Sequence, residues 1–111
     1  MKLTEDRWDA AHDVLDAVII ALGPSRYWGD PELLLVFDPS YKFFGWYAGG
    51  RITVNFWRCH SWCEVVATIL HEYAHHLQDP ARDDVEGFEL EARAFTTENL
   101  PLFWKLGDRA P

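Results

Sequence analysis

His71-Glu72-Tyr73-Ala74-His75 is the stretch on which the reading of this chain turns. In a helix, four residues advance the chain by slightly more than one turn. His71 and His75 therefore share a face, and their imidazoles can reach one ion. Neutral imidazole suits Zn²⁺, which it binds at roughly 2.0–2.1 Å. Glu72 lies about 100° further round the helix, beside an ion rather than on it, where a carboxylate can act as general base toward water. The spacing thus makes His71 and His75 candidate zinc ligands and Glu72 a candidate general base, against the alternative of a helix that carries two histidines by accident.

The flanking residues place these five in a helix. Ser61-Trp62-Cys63-Glu64 forms a capping box with Ser at the N-cap and Glu three residues on, and Asp79-Pro80 ends the helix. Val66, Ile69, Leu70, Tyr73 and Leu77 fill one flank of the wheel, while Thr68, His71, Glu72 and His75 share a narrower arc. Such a helix belongs between a core and a cleft. Cys59 and Cys63, with His60 between them, lack zinc-knuckle spacing and read as buried or capped thiols. His76 reads as a neighbour of the site or a surface residue, not a ligand.

Downstream, Asp83-Asp84-Val85-Glu86 opens another helix, expected to run to about residue 99, where Pro101 breaks it. Val85, Phe88, Ala92 and Phe95 form its core stripe. Glu89 and Glu91 flank that stripe on opposite sides, and periodicity alone does not choose which of them faces the histidines. Upstream, Trp8, Ala11, Leu15, Val18, Ile19 and Leu22 recur at helical steps, capped by Thr4 and stopped by Gly23-Pro24. Residues 32–37 read as a short buried strand. Residues 43–48 and 51–56 flank Gly49-Gly50 and read as a hairpin. In its second strand Ile52, Val54 and Phe56 face the core, while Arg51, Thr53 and Asn55 face away from it.

Composition limits the partners. A chain of 111 residues with 49% hydrophobic content is one domain with one modest core. Its net charge of −8 argues against nucleic acid and against anionic membranes. The start lacks a signal-type apolar run, and no stretch is long enough to span a bilayer, so the expected location is cytoplasmic.

Residues 43–95 resemble the gluzincin metallopeptidases and, by length and order of elements, the single-domain minigluzincins. The resemblance rests on the aromatic strand Phe43-Phe44-Gly45-Trp46-Tyr47, the following strand Arg51-Ile52-Thr53-Val54-Asn55, the helix Leu70-His71-Glu72-Tyr73-Ala74-His75-His76-Leu77, and the later Glu91-Ala92-Arg93-Ala94-Phe95. It covers about half of the chain. It implies an α+β, zincin-like fold with an N-terminal helix, a three-stranded mostly antiparallel sheet, an active-site helix and a glutamate helix. It also implies a zinc-dependent metallopeptidase acting on a peptide or protein substrate, as a monomer or small homo-oligomer. Glu91 becomes the third zinc ligand, and Gly45, Trp46 and Tyr47 become the edge along which an extended substrate lies. Tyr47, His60 and Arg93 are candidates for the oxyanion stabiliser. By analogy with zymogens of that group, residues 100–111 form an inhibitory C-terminal tail. The alternative is a zinc-binding regulatory or interaction protein without turnover.

Overall fold

A computed structural model describes residues 1–106. It contains α1 (Glu5–Leu22), β1 (Glu32–Val36), β2 (Gly45–Ala48), β3 (Arg51–Asn55), α2 (Trp62–Leu77) and α3 (Val85–Phe103). The class is α+β, as expected. The sheet, however, is mixed and not mostly antiparallel. Its order is β1-β3-β2, with β1 parallel and β2 antiparallel to the central β3. The reason lies in the connection: the chain leaves β1, passes to the opposite edge before entering β2, and returns through Gly49-Gly50. β1 is left on the far side of β3, running in the same direction. Both turn glycines have positive φ, 52° and 87°, which residues with a Cβ rarely adopt.

Local chemistry sets the helix ends. The Thr4 side chain accepts from Arg7 N–H at 3.3 Å, and Gly23, at φ 87°, closes α1 by donating to Ile19 C=O at 2.9 Å. Ser61 caps α2 by accepting from Glu64 N–H, as expected, while the Glu64 carboxylate accepts from His60 N–H at 2.9 Å, one residue before the N-cap position that a capping box would use. α3 runs through Pro101 to Phe103, further than anticipated. Pro101 lies in the final turn, where a missing N–H forfeits a single bond to Thr97 C=O. Phe103, 4% exposed, docks in the core, and Trp104 N–H still bonds Leu100 C=O.

The core lies between one face of the sheet and the helices. Ile52, Val54 and Phe56 of β3 meet Val14 and Val18 of α1 and Val65, Val66, Ile69 and Leu70 of α2, all fully buried. Tyr73 also packs here and donates its hydroxyl to Gly23 C=O, tying α2 to the end of α1.

β3 differs from expectation on its second face. Thr53 and Asn55 are buried, because the cross-strand partners Leu34 and Trp46 stand beside Thr53 and the loop after β1 folds over Asn55. The Asn55 side chain donates to Asp38, Tyr41 and Phe43 carbonyls at 3.0, 3.3 and 3.4 Å, and accepts from Asp38 and Trp57 N–H groups at 3.0 and 3.3 Å. One amide thus holds the aromatic loop that leads into β2. Asn55→Leu should lower stability by about 3 kcal/mol, since several buried backbone groups lose their partner. Thr53→Val should be neutral or mildly stabilising, because the buried Thr53 hydroxyl has no hydrogen-bond partner. Urea unfolding of both variants measures the contrast.

Candidate metal centre

α2 and α3 lie side by side after the chain reverses at Asp79-Pro80, and this packing assembles the site. His71 and His75 project from successive turns of α2, with ring centroids 5.0 Å apart. One ligand atom from each of His71, Glu72 and His75 lies within 4.8 Å of the other two, so this group could hold a metal ion.

α3 adds a second carboxylate, from Glu89. Its Oε1 lies 2.8 Å from His75 Nε2 and its Oε2 lies 3.3 Å from His71 Nε2, so one carboxylate spans both rings. Glu91 points elsewhere. It pairs with Arg82 at 2.9 Å, accepts from Gln78 at 3.4 Å, and lines a separate cavity with Tyr27, Ala74 and Leu77. The structure therefore brings Glu89, and not Glu91, to the histidines. The physical reason is the helical phase of α3. Ala92 is fully buried, so its side of α3 is turned toward the rest of the protein. Glu89 sits one turn before Ala92 on the same face, whereas Glu91 is about 100° away from it. Val85, Glu89, Arg93 and Thr96 repeat at helical steps along the cavity-facing side.

Glu72 is 6% exposed. Burial, with a smaller contribution from the charge of Glu89, pushes its carboxyl up from the ordinary 4.5 to about 8. Its nearest approach to a ring is Oε1 at 4.0 Å from His75 Nε2. Burial is also the main cause that lowers the pKa of His71, only partly offset by Glu89, and so favours the neutral imidazole that a metal requires.

The site opens into a cavity of about 970 Å³. β2 and the aromatic loop form one wall, with Tyr41, Phe43, Phe44, Gly45, Trp46 and Tyr47, while α3 forms the other. β2 is an edge strand, so its outer backbone groups are not used within the sheet. At Gly45 an added Cβ would collide with Thr53 C=O and lie 2.6 Å from Thr68 Cγ2, so glycine allows β2 to sit this close to α2 and β3. Tyr47 is only partly as anticipated. Its ring lines the cavity, but its hydroxyl donates to His76 Nδ1 at 2.8 Å and accepts from Gly50 N–H at 2.8 Å, so it is not directed at the histidine pair. His60 is exposed and does not line the cavity. Arg93 does line it, and its charge reaches His71.

His76 is neither a surface residue nor an adjunct of the metal site. It is 1% exposed, donates from Nε2 to Gly29 C=O at 2.8 Å and accepts from Tyr47 at Nδ1. Gly29 C=O can only accept, so Nε2 carries a proton, and burial lowers the pKa of the ring and favours the neutral form with Nδ1 as acceptor. It ties the loop before β1 and the β2–β3 turn to α2. Cys59 is buried, and burial raises its thiol to about 11; Cys63 is half-buried, and among the described residues neither joins a metal-ligating group.

The C-terminal segment does not occupy the cleft over its described length. Phe103 is in the core and Trp62 Nε1 donates to Leu106 C=O at 2.6 Å, beside the start of α2. Residues 107–111 of the anticipated tail lie outside the described residues. Among the described residues, no helix is long and apolar enough to cross a membrane. Comparison with protein-family models, curated proteins and solved structures finds no match for this chain.

Proposed function

We propose that this chain is a zinc-dependent metallopeptidase. The observation that carries the proposal is the Glu89 carboxylate spanning His71 Nε2 and His75 Nε2, with buried Glu72 next to them, at the foot of an open cleft. Two imidazole nitrogens and one carboxylate are the donor set of a catalytic zinc site that keeps a position for water. The residues present fit that ion, with Glu89 as third ligand in place of Glu91. When bound, zinc supplies a Lewis acid that lowers the pKa of water from 15.7 toward about 7 and polarises a carbonyl.

The protein supplies the remainder. Glu72 accepts the proton of the attacking water and returns it to the departing amine. Its buried setting raises its basicity, and a neighbouring dication would hold it ionised, as a base must be. Arg93 is a cationic side chain lining the cleft, and we assign it the stabilisation of negative charge developing on the carbonyl oxygen. The free edge of β2 offers main-chain groups to an extended substrate, and the aromatic wall from Tyr41 to Trp46 offers apolar contacts.

Zinc content of the purified protein and cleavage of an unfolded protein such as casein, with and without a chelator, test the proposal. Stoichiometric zinc and chelator-sensitive cleavage are expected. Zinc without cleavage would leave the non-catalytic alternative, and absence of zinc binding would remove the metal centre.

A further inference from the structure

Gln78, the residue that caps α2, touches both sides of the α2–α3 junction. Its Oε1 lies 2.8 Å from His75 Nδ1, while its Nε2 lies 2.9 Å from Phe88 C=O and 3.4 Å from a Glu91 oxygen. A carbonyl and a carboxylate can only accept, so the amide nitrogen must face them and the amide oxygen must face the ring. His75 then carries a proton on Nδ1, and Nε2, on the side of the Glu89 carboxylate, is the nitrogen left to face an ion bound between the two groups. Glu91 is held in turn by Arg82, at 2.9 and 3.1 Å. His71 has no such anchor: among the described residues its hydrogen-bonding contact is with Glu89, through Nε2.

We infer that Gln78 is a positioning residue for the metal centre, fixing the orientation and the Nε2-facing tautomer of His75, and that Arg82 and Glu91 hold Gln78 in place. This rests on the zinc reading above. It also gives Glu91 its role, one hydrogen bond removed from the ligand it was first expected to be. Hydrogen bonds at the far nitrogen of a ligating imidazole set its direction and basicity, and their loss weakens metal binding about 10–100-fold.

The test uses zinc alone, titrated in competition with a chromophoric chelator, on the full chain and on Gln78→Met, which keeps the length of the side chain and removes the acceptor. Gln78→Met should bind zinc about 10–100-fold more weakly while its far-ultraviolet dichroism stays unchanged. The signature specific to positioning is read on zinc-loaded wild type by imidazole ¹⁵N–¹H spectroscopy. His75 Nδ1–H should be observable and slow to exchange, His71 Nδ1–H fast, and the His75 signal should be lost in Gln78→Met. Equal zinc affinity in a folded Gln78→Met would overturn the inference, as would equally fast exchange at both rings of the wild type, which needs no variant to fold. Failure of the wild type to bind zinc would instead sink the metal centre itself.

Discussion

Glu89→Ala should weaken zinc binding by more than about 100-fold, and Glu91→Ala by no more than about 10-fold. The difference follows from placement. Glu89 supplies the carboxylate at 2.8 Å from His75 Nε2 and 3.3 Å from His71 Nε2, and its removal leaves the two imidazoles with Glu72, 4.0 Å from His75 Nε2, as the nearest remaining carboxylate. Glu91 is committed to Arg82 and touches the site only through Gln78. Its loss frees Arg82, which retains a contact with Asp84 at 3.6 Å and its place over the Phe88 ring. Both glutamates are about half exposed, so neither substitution should unfold the domain. Competition titration with a chelator gives both affinities. A larger loss in Glu91→Ala would return the third ligand to the position that the family resemblance suggested.

Glu72→Gln should lower peptide hydrolysis by at least about 100-fold while zinc affinity stays within a few-fold of wild type, since general-base catalysis typically contributes 10²–10⁴. Glutamine keeps the shape and removes the proton acceptor. Undiminished hydrolysis by the zinc-loaded variant would take the base assignment away. The same substitution has a signature in stability that does not depend on activity. In the metal-free protein the Glu72 carboxyl is raised from 4.5 to about 8, chiefly by burial. Between those values the unfolded chain gives up a proton that the folded chain keeps. The stability associated with this group is therefore fully present below about pH 4.5 and is lost as pH rises through 8, by up to ~1.4 kcal/mol per pH unit. Glu72→Gln should remove that slope. Metal-free Glu72→Gln should then melt higher than metal-free wild type at pH 8, and close to it at pH 4.5, in calorimetry with a chelator present. Zinc should diminish the difference, because a dication next to Glu72 favours its ionised form.

The three helices and three strands of the described residues were largely legible from residue order. α1 begins after Thr4 and stops before Gly23-Pro24, and α2 begins after Ser61, because caps and turns are local and the residues that make them are contiguous. Pro101 was misread as a terminator because its cost depends on position. In the final turn, one forfeited bond is offset by burying Phe103, and that burial is a tertiary contact. β3 was expected to have an open face. Asn55 is buried there by a loop whose path over the sheet cannot be read from alternation along one strand.

By itself the sequence determined the α+β class, the helix carrying His71, Glu72 and His75, and the placing of those three side chains on one arc, since 3.6 residues per turn leaves no freedom in the matter. Tertiary structure alone decided that β1 runs parallel to β3, that Tyr47 spends its hydroxyl on His76, and that Glu89 rather than Glu91 meets the two rings. These are relations between elements distant along the chain. Helical periodicity sets the angle between two residues of one helix, but the rotation of that helix against its neighbour is set by what packs at the junction, and in α3 the side that is turned inward carries the buried Ala92.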